Sequence, residues 1–321
     1  MEVNKILNKY IKLVSIIVTY NGSFYIESCI ESLMNSNLST DIIVIDNNST
    51  DETVNIIESK YTNIKLIKSN INVGFGKANN IGLSLVLDSD ADYVFLLNQD
   101  ARVEFKTLSR LVLQHMENTD FGVLSPIHLD GSGKLLDIPF LSYLISSKIG
   151  GIELISENLI GKNSNLLYPI DFVNASAWLI SRNCLNLVGG FDPLFIHYAE
   201  DNNYLDRVHY HGLKVGIVSN SRMYHDRKNR NDTNWENPFH HNFNSFKRTL
   251  LLNSLNPFNP VDIHDVLKHL RRRLLKSIFT FNLQSILFEI DMLNWFLKKN
   301  NSIKKHLQLS KIKGTTFLEK R

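Results

Sequence analysis

The sequence predicts an α/β fold: a mostly parallel β-sheet flanked by helices, followed by a C-terminal α-helical extension. Two observations predict the sheet. Apolar runs alternate with segments of helical periodicity, and each run is apolar at nearly every position, as in strands covered on both faces. A third observation, the basic and periodic end of the chain, predicts the extension. With 321 residues and 43% hydrophobic content, the chain can bury one large core plus an appended piece.

The first hundred residues contain four predicted strands and three predicted helices. The strands are short apolar runs at residues 13–19, 42–45, 64–67 and 93–97. The helices have apolar residues at helical spacing, at residues 26–33, 54–57 and 78–87, and Ser49 or Thr50 is the expected N-cap of the second. Polar residues follow each strand. Because ligands of parallel sheets gather at the carboxyl ends of the strands, we expect these loops to form one crevice.

Beyond Gly122 the pattern is less regular. The sequence Asp-Gly-Ser-Gly-Lys at residues 130–134 predicts a hairpin turn, and residues 140–168 predict an irregular insert. Further strands are expected at residues 172–181 and 214–218, with helices at residues 184–188 and 199–211.

The net charge of +3 conceals an asymmetry along the chain. Residues 262–321 have thirteen Lys or Arg against five Asp or Glu, or +8, which leaves −5 for the rest. Apolar residues at helical spacing around Arg271–Arg273 predict an amphipathic basic helix. Its apolar stripe would lie on an anionic membrane, pack on the rest of the chain, or join two copies into a homodimer. Residues 274–297 reach spanning length, but three charged residues interrupt them, so we expect no transmembrane helix.

Composition argues against several other classes. No recognition motif or aromatic platform accompanies the basic residues, so nucleic acid is not an expected partner. Cys29 and Cys184 stand alone in apolar settings, which is typical of buried reduced thiols and not of a zinc site or a disulfide framework. The start of the chain lacks a basic region followed by an apolar run. We therefore expect a cytoplasmic protein, peripheral on the inner face of the cell membrane if the basic helix binds lipid.

Five short motifs follow one another along the chain. They are Ser-Ile-Ile-Val-Thr-Tyr-Asn at residues 15–21, Val-Ile-Asp-Asn-Asn-Ser-Thr-Asp at 44–51, Asn-Val-Gly-Phe-Gly-Lys-Ala-Asn-Asn-Ile-Gly at 72–82, Leu-Leu-Asn-Gln-Asp-Ala at 96–101 and Gly-Phe-Asp-Pro-Leu-Phe-Ile-His-Tyr-Ala-Glu-Asp at 190–201. Their order resembles the family 2 glycosyltransferases of the GT-A (Rossmann-like) fold, and among them the bacterial rhamnosyltransferase-like branch. The resemblance implies a catalytic domain over residues 1–238, with a nucleotide-sugar-binding half at 13–121 and an acceptor-binding half at 122–238. Residues 239–321 would form the basic helical extension.

The resemblance implies that the first loops bind a nucleoside-diphosphate sugar. The matching residues are Thr19, Tyr20, Asn21, Asp46, Asn48, Gly74, Lys77, Asn79, Asn98 and Gln99. Asp46 would accept hydrogen bonds from the base or ribose, because a fixed carboxylate binds such donors well. In the simpler interpretation, Asp46 and Asp51 only cap turns. Lys77 would offset diphosphate charge beside a helix N-terminus, or it is an ordinary solvated lysine.

A divalent cation, Mg²⁺ or Mn²⁺, is the implied cofactor. Asp100 keeps the last acidic position of the family's Asp-X-Asp motif, which binds the metal, whereas Asn98 replaces the first. Asn98 retains a carbonyl oxygen, so the replacement puts metal affinity in question and not activity. His225 matches a histidine that completes the metal shell in some members, although a packed or surface imidazole is the other interpretation. Few protein ligands are needed, because the diphosphate brings its own oxygens.

The pair Glu200-Asp201 is implied to face the acceptor. Asp201 would act as the general base and Glu200 would support acceptor binding, whereas in the simpler interpretation both only complement a helix dipole. The implied activity is inverting transfer of a sugar, with dTDP-rhamnose as a candidate donor, to a glycan or lipid-linked acceptor in cell-surface polysaccharide biosynthesis. The alternative is a non-catalytic nucleotide-sugar-binding or scaffold subunit of a glycan assembly complex.

Overall fold

The computed structural model describes residues 7–162, 165–227 and 238–319. Within them, one sheet contains nine strands: β1 (Leu13–Thr19), β2 (Asp41–Asp46), β3 (Lys65–Lys68), β4 (Tyr93–Asn98), β5 (Ala101–Val103), β6 (Phe121–Asp130), β7 (Leu167–Pro169), β8 (Ala177–Ser181) and β9 (Lys214–His225). The helices are α1 (Ile26–Met34), α2 (Thr53–Lys60), α3 (Phe75–Leu87), α4 (Thr107–Glu117), α5 (Ile138–Ser146), α6 (Gly151–Leu159), α7 (Arg182–Val188), α8 (Glu200–Tyr210), α9 (Pro238–Leu255), α10 (Ile263–Phe279) and α11 (Leu283–Ser310).

The predicted α/β fold is confirmed, and the parallel pairing is concentrated in the first half of the sheet. The strand order is β3-β2-β1-β4-β8-β6-β9-β5, with β7 beside β9. The four predicted strands are neighbours and run parallel, with Thr19 opposite Asp46 and Val18 opposite Asn98. Their polar loops therefore leave the same edge of the sheet. Beyond β4 the sheet is mixed, because β8 runs antiparallel to both β4 and β6.

Several boundaries differ from the predicted ones. Residues 140–168 are not an irregular insert but contain α5 and α6. Helix α2 begins at Thr53 and is not capped by Ser49 or Thr50, because the Asp51 carboxylate accepts the Thr53 N–H at 3.1 Å and fixes the start there. The strand predicted at 214–218 continues to His225, and the one at 172–181 begins only at Ala177. The turn at 130–134 is confirmed, since the Gly133 N–H donates to the Asp130 carbonyl at 2.9 Å.

The two faces of the sheet each have their own apolar core, as the predicted double-sided covering requires. A third cluster joins the C-terminal helices to the loop before α8. It contains Phe195 and Ala199 of that loop, together with Leu251, Leu270 and Phe296 of the extension. The loop that leads into the Glu200-Asp201 pair is therefore packed against the C-terminal helices.

Among the described residues, no individual helix has the length and apolarity to cross a membrane. Helices α5 and α6 meet that criterion only when they are taken together, and they are bent by 112° with respect to one another.

Candidate active site

The first loop of the crevice is held in place by Gln99, a residue that the sequence predicts to contact the donor. The Thr19 hydroxyl donates to Gln99 Oε1 at 2.6 Å, the Tyr20 N–H donates to the same oxygen at 2.9 Å, and Gln99 Nε2 donates to the Tyr20 carbonyl at 3.1 Å. A Cβ on Gly22 would lie 2.2 Å from that oxygen, so a larger residue there would displace the Gln99 side chain. Gln99 and Thr19 thus fix the shape of the loop, and Tyr20 remains exposed at the surface.

The second loop is cross-linked to the first. The Asn21 side chain accepts the Thr50 N–H at 2.8 Å, and the Asn21 N–H donates to Ser49 Oγ at 2.9 Å. Asp46 is buried and accepts the Ser49 N–H at 3.1 Å, which is the turn-capping role that was the simpler interpretation. Asn48 is exposed, with a φ of 71°. Asp46 and Asn48 therefore lie in the predicted loop, and a donor contact by either remains a prediction.

The side-chain amide of Asn47 joins the second loop to residues 72–76, which we call the glycine-rich loop. Asn47 Nδ2 donates to Asn72 Oδ1 at 2.8 Å, and Asn47 Oδ1 accepts the Val73 N–H at 2.9 Å. Gly74 has a φ of 87°, and a Cβ there would lie 2.2 Å from the Ile196 carbonyl oxygen. The glycine is thus required both by its conformation and by its contact with the loop before α8. The sequence did not single out Asn47, because its neighbours Asp46 and Asn48 are also polar and nothing in the motif distinguishes the residue that joins the two loops.

The two predicted donor contacts of α3, Lys77 and Asn79, differ in their exposure to solvent. Lys77 is exposed. Asn79 is buried, and its Nδ2 donates to the Phe75 carbonyl at 3.0 Å within the helix. Helix α3 begins at Phe75, and the N-terminus of a helix favours anions. A role of either side chain at the diphosphate remains a prediction.

The predicted metal residues lie together. Asp100 Oδ1 and His225 Nε2 are 3.2 Å apart, and both side chains are buried. The pairing of β5 with β9 sets Ala101 opposite His225, and this register brings the two residues together. Asn98 Oδ1 is buried and has no hydrogen-bond partner among the described residues. Within residues 7–162, 165–227 and 238–319, no group of three His, Cys, Asp or Glu side chains is arranged to hold a metal ion.

Glu200 and Asp201 begin α8 after two residues in the left-handed conformation, Tyr198 and Ala199, with φ of 66° and 73°. Such conformations are costly for residues with side chains and tend to occur at functional sites. Burial, and then the neighbouring Asp201 charge, raise the pKa of Glu200 to about 7. Burial raises the pKa of Asp201 to about 6, although hydrogen bonds from the backbone of Asn202 and Ala175 lower it. Near neutral pH, Asp201 is therefore the more ionised of the two.

One short segment, residues 174–177, links the two halves of the site. The Ala175 backbone hydrogen-bonds the Asp201 carboxylate. The next residue, Ser176, accepts the Asn98 N–H through its carbonyl at 3.0 Å. On the other side, a Cβ on Gly76 would lie 3.5 Å from Glu200 Cβ, so the acidic pair also borders the glycine-rich loop. The predicted donor, metal and base residues are thus brought to the edges of one region.

Three residues outside the motifs also border the site. Tyr143 of α5 is half-buried, and burial followed by the Asp201 charge raises its pKa. Arg227 holds the buried Asp137 through Nε at 2.9 Å. Arg248 of the C-terminal extension lies 5.3 Å from the Tyr198 ring, and its charge lowers the pKa of Glu200. None of the three lies in one of the five motifs, and Tyr143 lies in the segment that was predicted to be an irregular insert.

Comparison with known proteins shows which family the first part of the chain is similar to. The family model described as Glycosyl transferase family 2 matches residues 15–158. An N-acetylglucosaminyl-diphospho-decaprenol L-rhamnosyltransferase of Mycobacterium tuberculosis is 25% identical over 229 residues, which cover 65% of this chain and 74% of the relative. The dTDP-rhamnosyl transferase RfbF of Shigella flexneri is 24% identical over 213 residues, or 66% of this chain and 68% of the relative.

Solved structures show the same fold at lower sequence identity. TarS 1-349 of S. aureus in complex with UDP-GlcNAc superposes with a TM-score of 0.55 at 16% identity, covering 94% of this chain and 87% of that one. This similarity bears on the fold alone and agrees with a GT-A sheet followed by C-terminal helices. The family model covers residues 15–158, less than half of the chain, and the rhamnosyltransferase relatives are 24–25% identical. The chain is thus similar to the family 2 glycosyltransferases, the family that its five motifs resemble.

Proposed function

We propose that the protein is an inverting glycosyltransferase that moves a sugar from a nucleoside-diphosphate donor to a glycan or lipid-linked acceptor. One observation carries the proposal: Asn98, two residues before Asp100, donates its N–H to the Ser176 carbonyl, and the backbone of the adjacent Ala175 hydrogen-bonds the Asp201 carboxylate. A donor diphosphate at the predicted metal residues and an acceptor hydroxyl at the acidic pair would place the anomeric carbon between them. Carboxylates on unrelated parts of the surface would give no reason to propose sugar transfer.

Asp201 is the residue we assign as general base. Inversion requires the acceptor hydroxyl to attack the anomeric carbon from the face opposite the leaving nucleoside diphosphate. Asp201 would take the hydroxyl proton as the new C–O bond forms, a contribution of about 10²- to 10⁴-fold. A pKa of about 6 suits this role, because the carboxylate is ionised near neutral pH but is more basic than an exposed one.

Glu200 is better suited to holding the acceptor. With a pKa of about 7, it is protonated in a large fraction of molecules near neutral pH. Its Oε2 is buried and has no hydrogen-bond partner among the described residues. A buried polar atom of this kind is costly unless a ligand satisfies it. Glu200 would therefore hydrogen-bond a second hydroxyl of the acceptor and orient the first toward Asp201.

The residues at the end of β4 fit a divalent cation. Asp100 and His225 offer a carboxylate and an imidazole, and Asn98 Oδ1 is a buried acceptor with no partner among the described residues. Hard cations such as Mg²⁺ take oxygen ligands of this kind and complete their shell with phosphate oxygens. When bound, the cation would supply positive charge to the leaving diphosphate. Two or three protein ligands suffice for an ion that arrives with its substrate.

The donor is proposed from the relatives. The Shigella flexneri relative is described as a dTDP-rhamnosyl transferase, and the Mycobacterium tuberculosis relative as an L-rhamnosyltransferase acting on a diphospho-decaprenol acceptor. We therefore expect dTDP-rhamnose to be the best donor. The TarS structures contain UDP or UDP-GlcNAc, which makes UDP sugars the second class to test.

The decisive assay compares Asp201→Asn with Asp206→Asn in the full chain. Asp206 lies on the same helix, so its variant is a matched control that leaves the proposed base in place. We expect Asp201→Asn to lower turnover about 10²- to 10⁴-fold, with donor-induced thermal stabilisation unchanged. Asp206→Asn should retain turnover. Full turnover by Asp201→Asn would contradict the assignment of the base.

The scaffold alternative has one observation in its favour, the amide at Asn98 where the family has an acid. It predicts a protein that is stabilised by one nucleoside diphosphate but neither transfers nor hydrolyses any donor. Measured release of nucleoside diphosphate in the presence of acceptor separates the two functions. Release that depends on acceptor and on Asp201 would exclude the scaffold.

A further inference from the structure

The turn between α10 and α11 exposes a large apolar surface. We call residues 275–287 the α10–α11 tip. Phe279 is 80% exposed and Phe281 is 92% exposed. Four other large apolar residues of the tip are also exposed: Leu275, Ile278, Leu283 and Leu287. Isolated exposed apolar residues are ordinary, but a contiguous group of six marks an interaction surface.

This surface is distinct from the apolar face that packs inside the protein. On α10, Val266 and Leu270 belong to the third core cluster, which covers the loop before α8. The prediction that the apolar stripe packs on the rest of the chain therefore holds for the first part of α10. The tip continues the same helix beyond that contact. Phe281 lies in the turn between α10 and α11. Its φ of 50° is an uncommon conformation for a bulky residue.

Positive charge flanks the tip on its α10 side, whereas Glu289 and Asp291 follow it on α11. Residues 266–288 contain five Lys or Arg and no Asp or Glu. Of these, Arg273 is committed to the buried Glu289 at 2.7 Å. The others, Lys268, Arg271, Arg272 and Lys276, are exposed, and none of them forms an ion pair in the described part of the chain. The tip thus combines an apolar end with unneutralised positive charge.

A second exposed apolar region lacks this charge. Helices α5 and α6 expose Ile138, Leu159 and Ile160, but the lysines nearby are balanced by Glu153 and Glu157. An apolar patch without net charge gives no reason to favour a lipid headgroup. The α10–α11 tip therefore has the stronger claim to an anionic surface, and the α5–α6 patch provides a matched control.

We infer that the α10–α11 tip docks the protein on a membrane rich in anionic lipid. The exposed phenylalanines would enter the interface between headgroups and acyl chains, and the arginines and lysines would lie at the anionic headgroups. Apolar burial and charge attraction act on the same short segment. This inference is independent of the sugar transfer, because it concerns binding to the lipid surface and not the chemistry.

The test is sedimentation of the full chain with vesicles of phosphatidylcholine, alone or mixed with phosphatidylglycerol. Wild type should bind the mixed vesicles and only weakly the neutral ones, with affinity falling as salt is added. Arg271→Gln with Arg272→Gln should weaken binding to mixed vesicles about thirtyfold, or about fivefold for each charge. Phe279→Ser with Phe281→Asn should weaken it about a hundredfold, and asparagine tolerates the left-handed φ at the second position.

The matched control is Leu159→Ser with Ile160→Ser, which removes two exposed apolar residues, at 81% and 65% exposure, from the α5–α6 patch and should bind like wild type. Unchanged thermal unfolding in all variants excludes a folding effect, because every substituted side chain is exposed. The inference is wrong if the phenylalanine variant binds like wild type, or if only the control loses binding. It is also wrong if wild type is a dimer that the phenylalanine variant dissociates, since a second copy would then cover the tip.

Discussion

Replacing Asp201 by asparagine should stabilise the protein while it removes activity. Burial raises the pKa of this carboxyl from 3.8 to about 6, so ionising it in the folded protein is unfavourable. A shift of about two units corresponds to about 3 kcal/mol when the pH lies above both values. Because the side chain is only partly buried, we expect Asp201→Asn to raise the free energy of unfolding by about 1–2 kcal/mol. Asparagine keeps one oxygen that can accept the Asn202 N–H, and loss of the second oxygen, which weakens the hydrogen bond from the Ala175 backbone, is a further reason to expect less than the full gain.

The sign of this effect depends on pH. The folded pKa is raised above the unfolded value, so the cost of the charge is fully present above about pH 6 and disappears as the pH falls toward 3.8. Urea unfolding of wild type and Asp201→Asn at about pH 7.5 and about pH 4 measures this difference. The variant should be more stable only at the higher pH. Asp88→Asn, at an exposed position, should change the free energy of unfolding by less than about 0.5 kcal/mol at both. A variant that is less stable than wild type at the higher pH would refute the reasoning.

Three other predictions follow from the same contacts. The pH profile of kcat/KM should fall below an apparent pKa of about 6, tenfold for each further unit, as Asp201 becomes protonated; a profile flat to pH 4 would exclude it as the base. Gln99→Ala should raise KM for the donor about tenfold with little change in kcat, because it removes three hydrogen bonds that shape the first loop; Gln99→Glu, which can still accept from Thr19 and Tyr20 but cannot donate to the Tyr20 carbonyl, should raise KM less. His306→Ala should destabilise the protein by about 3–5 kcal/mol in thermal or urea unfolding, because it leaves the buried Asp192 carboxylate without its partner at 2.6 Å; a loss below about 1 kcal/mol would show that Asp192 is satisfied by its other contacts.

The first half of the fold follows from the sequence for a physical reason. Strands covered on both faces are apolar at nearly every position, so β2 and β4 appear as uninterrupted runs such as Ile42–Ile45, and β1 is interrupted only at Ser15. Their parallel pairing places every following polar loop at one edge. The second half could not be predicted as well, because β6 and β9 are long, change register between Pro126 and Ile127, and include polar positions. Helices α5 and α6 were missed because each is only nine residues long and α6 follows Gly150, although Asp137 at the N-cap of α5 and Pro139 in its first turn are a start signal.

The candidate site, like the fold, could be predicted from the sequence only in part. Motif residues such as Asp100, Glu200 and Asp201 could be chosen from the sequence, because carboxylates at strand and helix ends have a chemical reason to be there. Residues that hold these groups in place could not. The Asp192–His306 contact joins positions 114 residues apart. No local pattern reveals that the C-terminal helices support the loop before α8, because this depends on long-range packing.

The central claim is that the donor and the base occupy opposite sides of one cavity. A crystal structure of Asp201→Asn with Mn²⁺ and the donor nucleotide sugar tests it most directly. We predict a diphosphate beside Asp100 and His225, with the anomeric carbon facing residue 201 across open space that an acceptor hydroxyl can enter. A bound donor whose sugar is separated from residue 201 by packed protein would contradict the claim.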